Sequence, residues 1–320
     1  MFNTRRKRIL VLSSPIVASF VVQAAMNVRE QRQVTAESTL KLALLQLIPT
    51  RYISYSWGKF TSLKLPRPLR KPVLGLYTKV FGCDLDDLVN KNLEEYESLQ
   101  DYFTRKIDMS KRAIDEEANL ISPSDGVIIS QGIVENNTIE QIKGIKFNMS
   151  KFMNEDIITS NPNQLFHYCI IYLGPGDYHR FHSPTEWNLF RVRHIQGDLL
   201  SVNPIALRKI KGLFSLNERI NLIGKWRYGY FNMIPVAATN VGNIQLHLDT
   251  DIKTNKGIVL GSKKITEALN VDCELKRGQE IGLFKLGSTI VLLFEGPREF
   301  KFLKQIGDKV KVGEALGNKS

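Results

Sequence analysis

Cysteine is scarce: 320 residues carry three, Cys83, Cys169 and Cys273, far apart and with no CxxC among them. That excludes a disulfide-stapled scaffold and leaves buried free thiols as the simplest reading. Histidine is almost as rare, at five. No arginine-rich tract interleaved with aromatics and no zinc-finger spacing occurs, so nucleic acid is not the expected partner of a chain whose net charge is +12. No acidic residue precedes Glu30. Nor does a G-x-S-x-G elbow surround Ser288: Lys285 and Leu286 precede its Gly-Ser pair and Thr289 and Ile290 follow, which counts against an α/β-hydrolase.

What is present is ordinary in bulk. With 43% hydrophobic and 24% charged residues, neither wholesale disorder nor a polytopic membrane protein is indicated. Single cores stop growing near ~250 residues, so one catalytic domain plus an N-terminal extension is expected. The excess positive charge suits an anionic lipid leaflet or an acidic substrate.

The N-terminus favours the lipid. Arg5, Arg6, Lys7 and Arg8 precede a mostly apolar run from Ile9 to Val28, about the ~20 residues that a membrane-crossing helix needs. Ser13, Ser14, Pro15, Gln23 and Asn27 make the span marginal. An uncleaved anchor is the reading adopted; a secretory signal and an import presequence share the basic start and stay open. If the run spans, its basic residues remain on the side of synthesis or the matrix, and the catalytic domain lies across the membrane. A second apolar stretch, Leu40 to Ile48, leads into Tyr52, Tyr55, Trp57 and Phe60 with Arg51 and Lys59. That mixture suits a headgroup layer or an amphipathic helix packed on the domain.

The expected organisation is a basic N-terminus and single anchor over 1–30, a helical membrane-proximal subdomain over 31–115 and a β-rich catalytic domain over 116–320. From Pro66 to Arg112 the apolar spacing predicts helix; beyond Ile121, short β-branched and aromatic runs between Gly, Pro, Asn and Asp clusters predict strands. The fold class is α+β, with a mainly β body. Lys276-Arg-Gly-Gln-Glu-Ile-Gly282 and Lys311-Val-Gly-Glu-Ala-Leu-Gly317 share one glycine-spaced pattern, which predicts duplicated barrel-sandwich-like units similar to lipoyl and biotinyl modules. A carrier function would need an exposed lysine at a hairpin tip, and Ser288 supplies nothing of that kind.

Three segments carry candidate chemistry. Ser122-Pro-Ser-Asp125-Gly126 sets a carboxylate in a turn. Gly174-Pro-Gly-Asp-Tyr178-His179-Arg180-Phe-His182 sets two histidines three apart. Leu286-Gly287-Ser288-Thr289 opens an apolar run to Phe294. One HxxH gives only two ligands, so no metal is expected. Asp125, His182 and Ser288 could form a nucleophilic relay, although each also reads as an ordinary turn or core residue. His167 and His247 read as core histidines.

Together with Lys143-Gly144 and Leu213-Phe-Ser-Leu-Asn217-Glu218-Arg219, these segments resemble the phosphatidylserine decarboxylase family over Trp57 to Gly317, most nearly its mitochondrial inner-membrane branch. The resemblance implies self-cleavage between Gly287 and Ser288 into a beta chain, 1–287, and an alpha chain, 288–320, which stay associated. Asp125 would orient His182, His182 would deprotonate Ser288, and Ser288 would become a covalent pyruvoyl group with no metal required. That pyruvoyl would form a Schiff base with phosphatidylserine and release carbon dioxide and phosphatidylethanolamine. His179 would be the acid that reprotonates carbon, on the expectation of a near-neutral pKa. Tyr178 and Arg180 would shape the substrate site. The branch further implies a single-pass inner-membrane protein whose catalytic domain faces the intermembrane space; it could also be a homo-oligomer. The alternatives are an Asp-His-Ser lipid hydrolase, a pyruvoyl decarboxylase of another amine-bearing acid, or a lipoyl-like carrier or membrane adaptor.

Overall fold

A computed structural model describes residues 50–157, 159, 161–239, 243–250, 252, 254, 265–285 and 287–319. The chain divides into two units, Met1–Ala43 and Leu44–Ser320; the first, with the expected anchor, lies outside the described residues, as does the stretch 40–48. Among the described residues no helix is long and apolar enough to cross a membrane.

Helix α1 is Thr50–Thr61 and α2 is Arg67–Phe81. Proline in the first turn of α2 is tolerated because the N–H it lacks has no intrahelical partner there. Gly82, left-handed at φ 64°, ends the helix by donating to the Thr78 carbonyl. The helical stretch expected from Pro66 to Arg112 is therefore interrupted. Between Gly82 and Arg112 only short α3, Leu99–Phe103, and 3-10 turns remain. Asn92, Ser98 and Asp108 accept from backbone N–H groups two or three residues on, holding separate turns in place of a continuous helix.

Among the described residues sixteen strands follow. They are β1 (Leu120–Ile121), β2 (Gly126–Ile133), β3 (Thr138–Ile142), β4 (Ile145–Asn148), β5 (Gln164–Leu173) and β6 (Arg180–His182). Next come β7 (Trp187–Ile195), β8 (Arg219–Trp226), β9 (Gly229–Ala237), β10 (Ile244–Leu246) and β11 (Ile265–Leu275). The last are β12 (Glu280–Phe284), β13 (Ser288–Pro297), β14 (Phe300–Phe302), β15 (Lys309–Val310) and β16 (Ala315–Lys319). The body is mainly β, with few helices.

An eight-stranded antiparallel sheet runs β11-β7-β8-β9-β13-β5-β2-β15. Strand β13 lies between β9 and β5 and is buried from Ser288 to Gly296. Its unbroken apolar run, rather than an alternating one, fits a strand covered on both faces. Leu173 pairs with Ser288, so β5 ends where β13 begins. The 174–179 loop leaves from that edge, and the link from Phe284 to Ser288 enters there. Among the described residues three smaller sheets, β10-β12-β6, β1-β16-β14 and the two-stranded β3-β4, complete the body.

Helical and β parts meet at the 174–177 turn. Tyr77 Oη donates to the Pro175 carbonyl at 2.7 Å, and Arg105 Nη2 to the Gly176 carbonyl at 2.6 Å. Residue 176 must be glycine because any Cβ there would collide with the Phe81 carbonyl.

The repeated glycine pattern forms the same turn twice. Gln279 N donates to the Lys276 carbonyl and Glu314 N to the Lys311 carbonyl, each at 3.1 Å. Gly278 and Gly313 sit at φ 74° and 93°, where a side chain is strained. Each turn clasps a Ser-Pro segment: Gly313 and Glu314 bond both ways with Ser122, and Gly278 and Gln279 with Ser183. The two clasps also cross, since Ile121 N donates to the Pro184 carbonyl and His182 N to the Pro123 carbonyl.

Candidate active site

Asp125 sits at the head of β2, just after its Ser-Pro clasp. Its carboxylate accepts from Arg112 Nη1 at 2.6 Å and Nη2 at 3.1 Å, and from Val312 N at 2.9 Å. Arg112 also donates from Nε to Asp87 at 2.7 Å. Both Arg112 and Asp125 are buried, and such a charge is tolerable only with this density of partners.

His182 ends β6. Its Nδ1 lies 2.8 Å from the Gly278 carbonyl, which can only accept, so Nδ1 carries the proton. Nε2 is then the bare, basic nitrogen and accepts the Tyr178 hydroxyl at 3.0 Å. Burial is the main cause holding the imidazole below its ordinary pKa, opposed by the Gly278 carbonyl and by the nearby charges of Glu280 and Asp125. Burial also pushes the Tyr178 phenol up, so it remains a neutral donor.

His179 has the same tautomer. Nδ1 donates to the Asp177 carbonyl at 2.8 Å, leaving Nε2 buried and without a partner among the described residues. Its ring lies 3.9 Å from that of Phe103. Complete burial, only partly offset by the Asp177 carbonyl, depresses its pKa to about 3. The near-neutral acid expected from sequence is thus a neutral imidazole in this uncut chain, because Phe103 and the 174–179 loop exclude water from it.

Ser288 opens β13 with no exposure, and its hydroxyl has no partner among the described residues; the adjacent Thr289 hydroxyl is alike. Phe284 N donates to the His179 carbonyl at 2.9 Å, so the segment leading to Ser288 leaves β12 beside that histidine.

Tyr178, His179 and His182 come together on one loop and strand. Asp125 and His182 share no hydrogen bond here, nor do His182 and Ser288: Asp125 faces Arg112 and His182 faces Tyr178. Arg180 is engaged by Glu280 at 2.7 Å and by the Thr104 carbonyl at 2.9 Å, which tie β6 to its neighbours. His167, buried against the Pro297 carbonyl, is a core histidine. His247, with its side chain 34% exposed and paired with Glu280, is not. Among the described residues no group of three His, Cys, Asp or Glu is placed to hold a metal. Sequence reasoning missed Arg112 and Arg105, which looked like ordinary charges in a basic helical stretch; only their burial singles them out.

A profile of the family described as phosphatidylserine decarboxylase matches residues 99–318. The mitochondrial phosphatidylserine decarboxylase proenzyme of Cricetulus griseus is 39% identical over 303 residues, covering 87% of this chain and 74% of its own. The proenzyme 1 of Schizosaccharomyces pombe is 32% identical, covering 90% and 84%. That of Arabidopsis thaliana is 31% identical, covering 87% and 74%. At this identity, over this much of both chains, the protein belongs to the phosphatidylserine decarboxylase family.

Proposed function

We propose that this chain cuts itself between Gly287 and Ser288 and that Ser288 becomes the catalytic pyruvoyl group. The chain is a pyruvoyl-dependent decarboxylase, converting phosphatidylserine to phosphatidylethanolamine and carbon dioxide. Neither the lipid-hydrolase nor the carrier reading draws support from its relatives.

The observation that carries the proposal is the Ser288 hydroxyl, buried at the mouth of the core strand and free of hydrogen bonds among the described residues. Among the described residues no hydrogen bond ties that hydroxyl down, so turning it onto the Gly287 carbonyl breaks no bond of its own. In the cut, Ser288 Oγ attacks the Gly287 carbonyl carbon and displaces the amide nitrogen, giving an ester. Elimination leaves Gly287 as a carboxylate and residue 288 as dehydroalanine; water then removes its nitrogen as ammonia. His182 Nε2, neutral and basic, takes the serine proton after giving up the Tyr178 hydroxyl. Asp125 favours the resulting imidazolium through its field rather than through a hydrogen bond.

Once formed, the pyruvoyl supplies an electron sink for the carbanion left when carbon dioxide departs. The chain supplies the proton management. His179 Nε2, buried and without a partner among the described residues, takes up a proton once the anionic substrate beside it raises its depressed pKa, and delivers that proton to carbon. The fragments 1–287 and 288–320 stay together because Ile290, Val291, Leu292, Leu293 and Phe294 are fully buried between β5 and β9. Exposing each would cost ~1.5–3 kcal/mol.

Two coarser readings accompany this. The reciprocal turn clasps support a duplicated barrel-sandwich-like unit, with Ser122-Pro-Ser-Asp125 echoed by Ser183-Pro-Thr-Glu186. The basic N-terminus and the mitochondrial relatives support a mitochondrial enzyme anchored in the inner membrane by residues 1–30 and facing the intermembrane space.

Reductive amination tests the pyruvoyl. Ammonia with cyanoborohydride should abolish decarboxylation and turn a blocked N-terminus on the small fragment into alanine. A small fragment with a free N-terminal serine before treatment would contradict the proposal.

A further inference from the structure

Arg105 is the anomaly. It is 3% exposed, yet Nε and Nη1 have no hydrogen-bond partner among the described residues. No described carboxylate forms an ion pair with it. The nearby Asp177 carboxylate is taken up by Gly174 N at 2.7 Å. The guanidinium is nonetheless held firmly. Nη2 donates to the Gly176 carbonyl at 2.6 Å and the Asp177 carbonyl at 3.2 Å, and the group lies 5.3 Å from the Tyr102 ring centroid. The Asp177 oxygen is the one that His179 Nδ1 also bonds. An immobilised buried cation with idle donors thus meets the candidate proton carrier at a single carbonyl.

Buried charge without a directly bonded carboxylate is costly, and Arg112, in the same molecule, is given two. Idle donors fixed beside a reaction site are the mark of a group awaiting an anion. The substrate carries two, a carboxylate and a phosphodiester. The carboxylate must lose its charge to become carbon dioxide, so an arginine bound to it would stabilise the starting state against the transition state. The phosphodiester keeps its charge throughout.

We infer that Arg105 is the binding residue for the phosphodiester of the phosphatidylserine headgroup, and that its grip carries over to the product. The inference rests on the decarboxylase reading above and extends it to substrate recognition.

The test uses only protein purified as two fragments and decarboxylating phosphatidylserine in mixed micelles, so its result bears on Arg105 and not on whether the chain is a decarboxylase. Phosphatidylethanolamine, which keeps the phosphodiester and lacks the carboxylate, serves as product inhibitor. Arg105→Gln should raise KM for phosphatidylserine and Ki for phosphatidylethanolamine by the same factor, about tenfold or more, with kcat within about twofold. Arg105→Lys should recover part of both. A raised KM with unchanged Ki would assign Arg105 to the carboxylate and overturn the inference. Unchanged KM and Ki, with only a lowered melting temperature, would make it a structural tie. Should the Gln variant not accumulate, the Lys variant decides: it keeps a charge but loses the planar fork, and an unaltered Ki overturns the inference.

Discussion

The Asp125 turn and the His179 loop treat buried polarity in opposite ways. In the first, Arg112 meets Asp125 and Asp87, and Asp125 takes a further bond from Val312 N. In the second, Arg105 and His179 are equally buried, and each keeps idle polar atoms. Satisfied charge fixes a structure and sets a field; unsatisfied polarity at comparable depth marks where a reacting group must come.

The largest effect should come from breaking the satisfied side. Arg112→Ala strands Asp125 without its cation and leaves Asp87 only Lys311, at 3.6 Å; the loss of a partner in a buried pair costs about 3–5 kcal/mol. Urea denaturation of this variant should show a midpoint lowered accordingly. A shift under about 1 kcal/mol would mean that the pair is far better hydrated than its burial indicates.

The unsatisfied side should appear in the pH dependence of stability. Folded His179 holds off protonation down to about pH 3, whereas the unfolded chain takes up that proton near pH 6.5. The folded chain therefore loses stability as pH falls from about 6.5 toward 3, by up to ~1.4 kcal/mol per pH unit for this residue. His182 and His167, also held low by burial, add in the same direction. His179→Gln should flatten the slope of urea-derived stability between pH 7 and 5; an unaltered slope would place the proton uptake elsewhere.

The smallest effect belongs to Tyr178, whose hydroxyl holds the bare nitrogen of His182. Tyr178→Phe should cost about 1 kcal/mol. It should also change the rate of chain splitting only a few-fold, since His182 Nε2 becomes free sooner. A complete block of splitting would make Tyr178 a proton carrier in its own right.

The mainly β body was legible because Thr289–Phe294 and Tyr168–Tyr172 are apolar runs bounded by turn residues, and the repeated glycine turn was legible from its spacing. The break in helix after Gly82 was not, since apolar spacing persists through Leu99, Tyr102 and Phe103 while Asn and Ser side chains separate the turns. At the site, Ser288, His179 and His182 stood out by type and order. Arg105 and Arg112 did not, because among 44 Lys and Arg residues nothing local tells a buried arginine from a solvated one. Nor could spacing foretell that Asp125 would face Arg112, which contacts of the folded chain decide.

The most direct test is the intact mass of the purified protein beside its Ser288→Ala variant. The account predicts two fragments for the wild type, the smaller beginning at a blocked residue 288, and one uncut chain for the variant. A single wild-type chain of 36.5 kDa that still decarboxylates phosphatidylserine would contradict it.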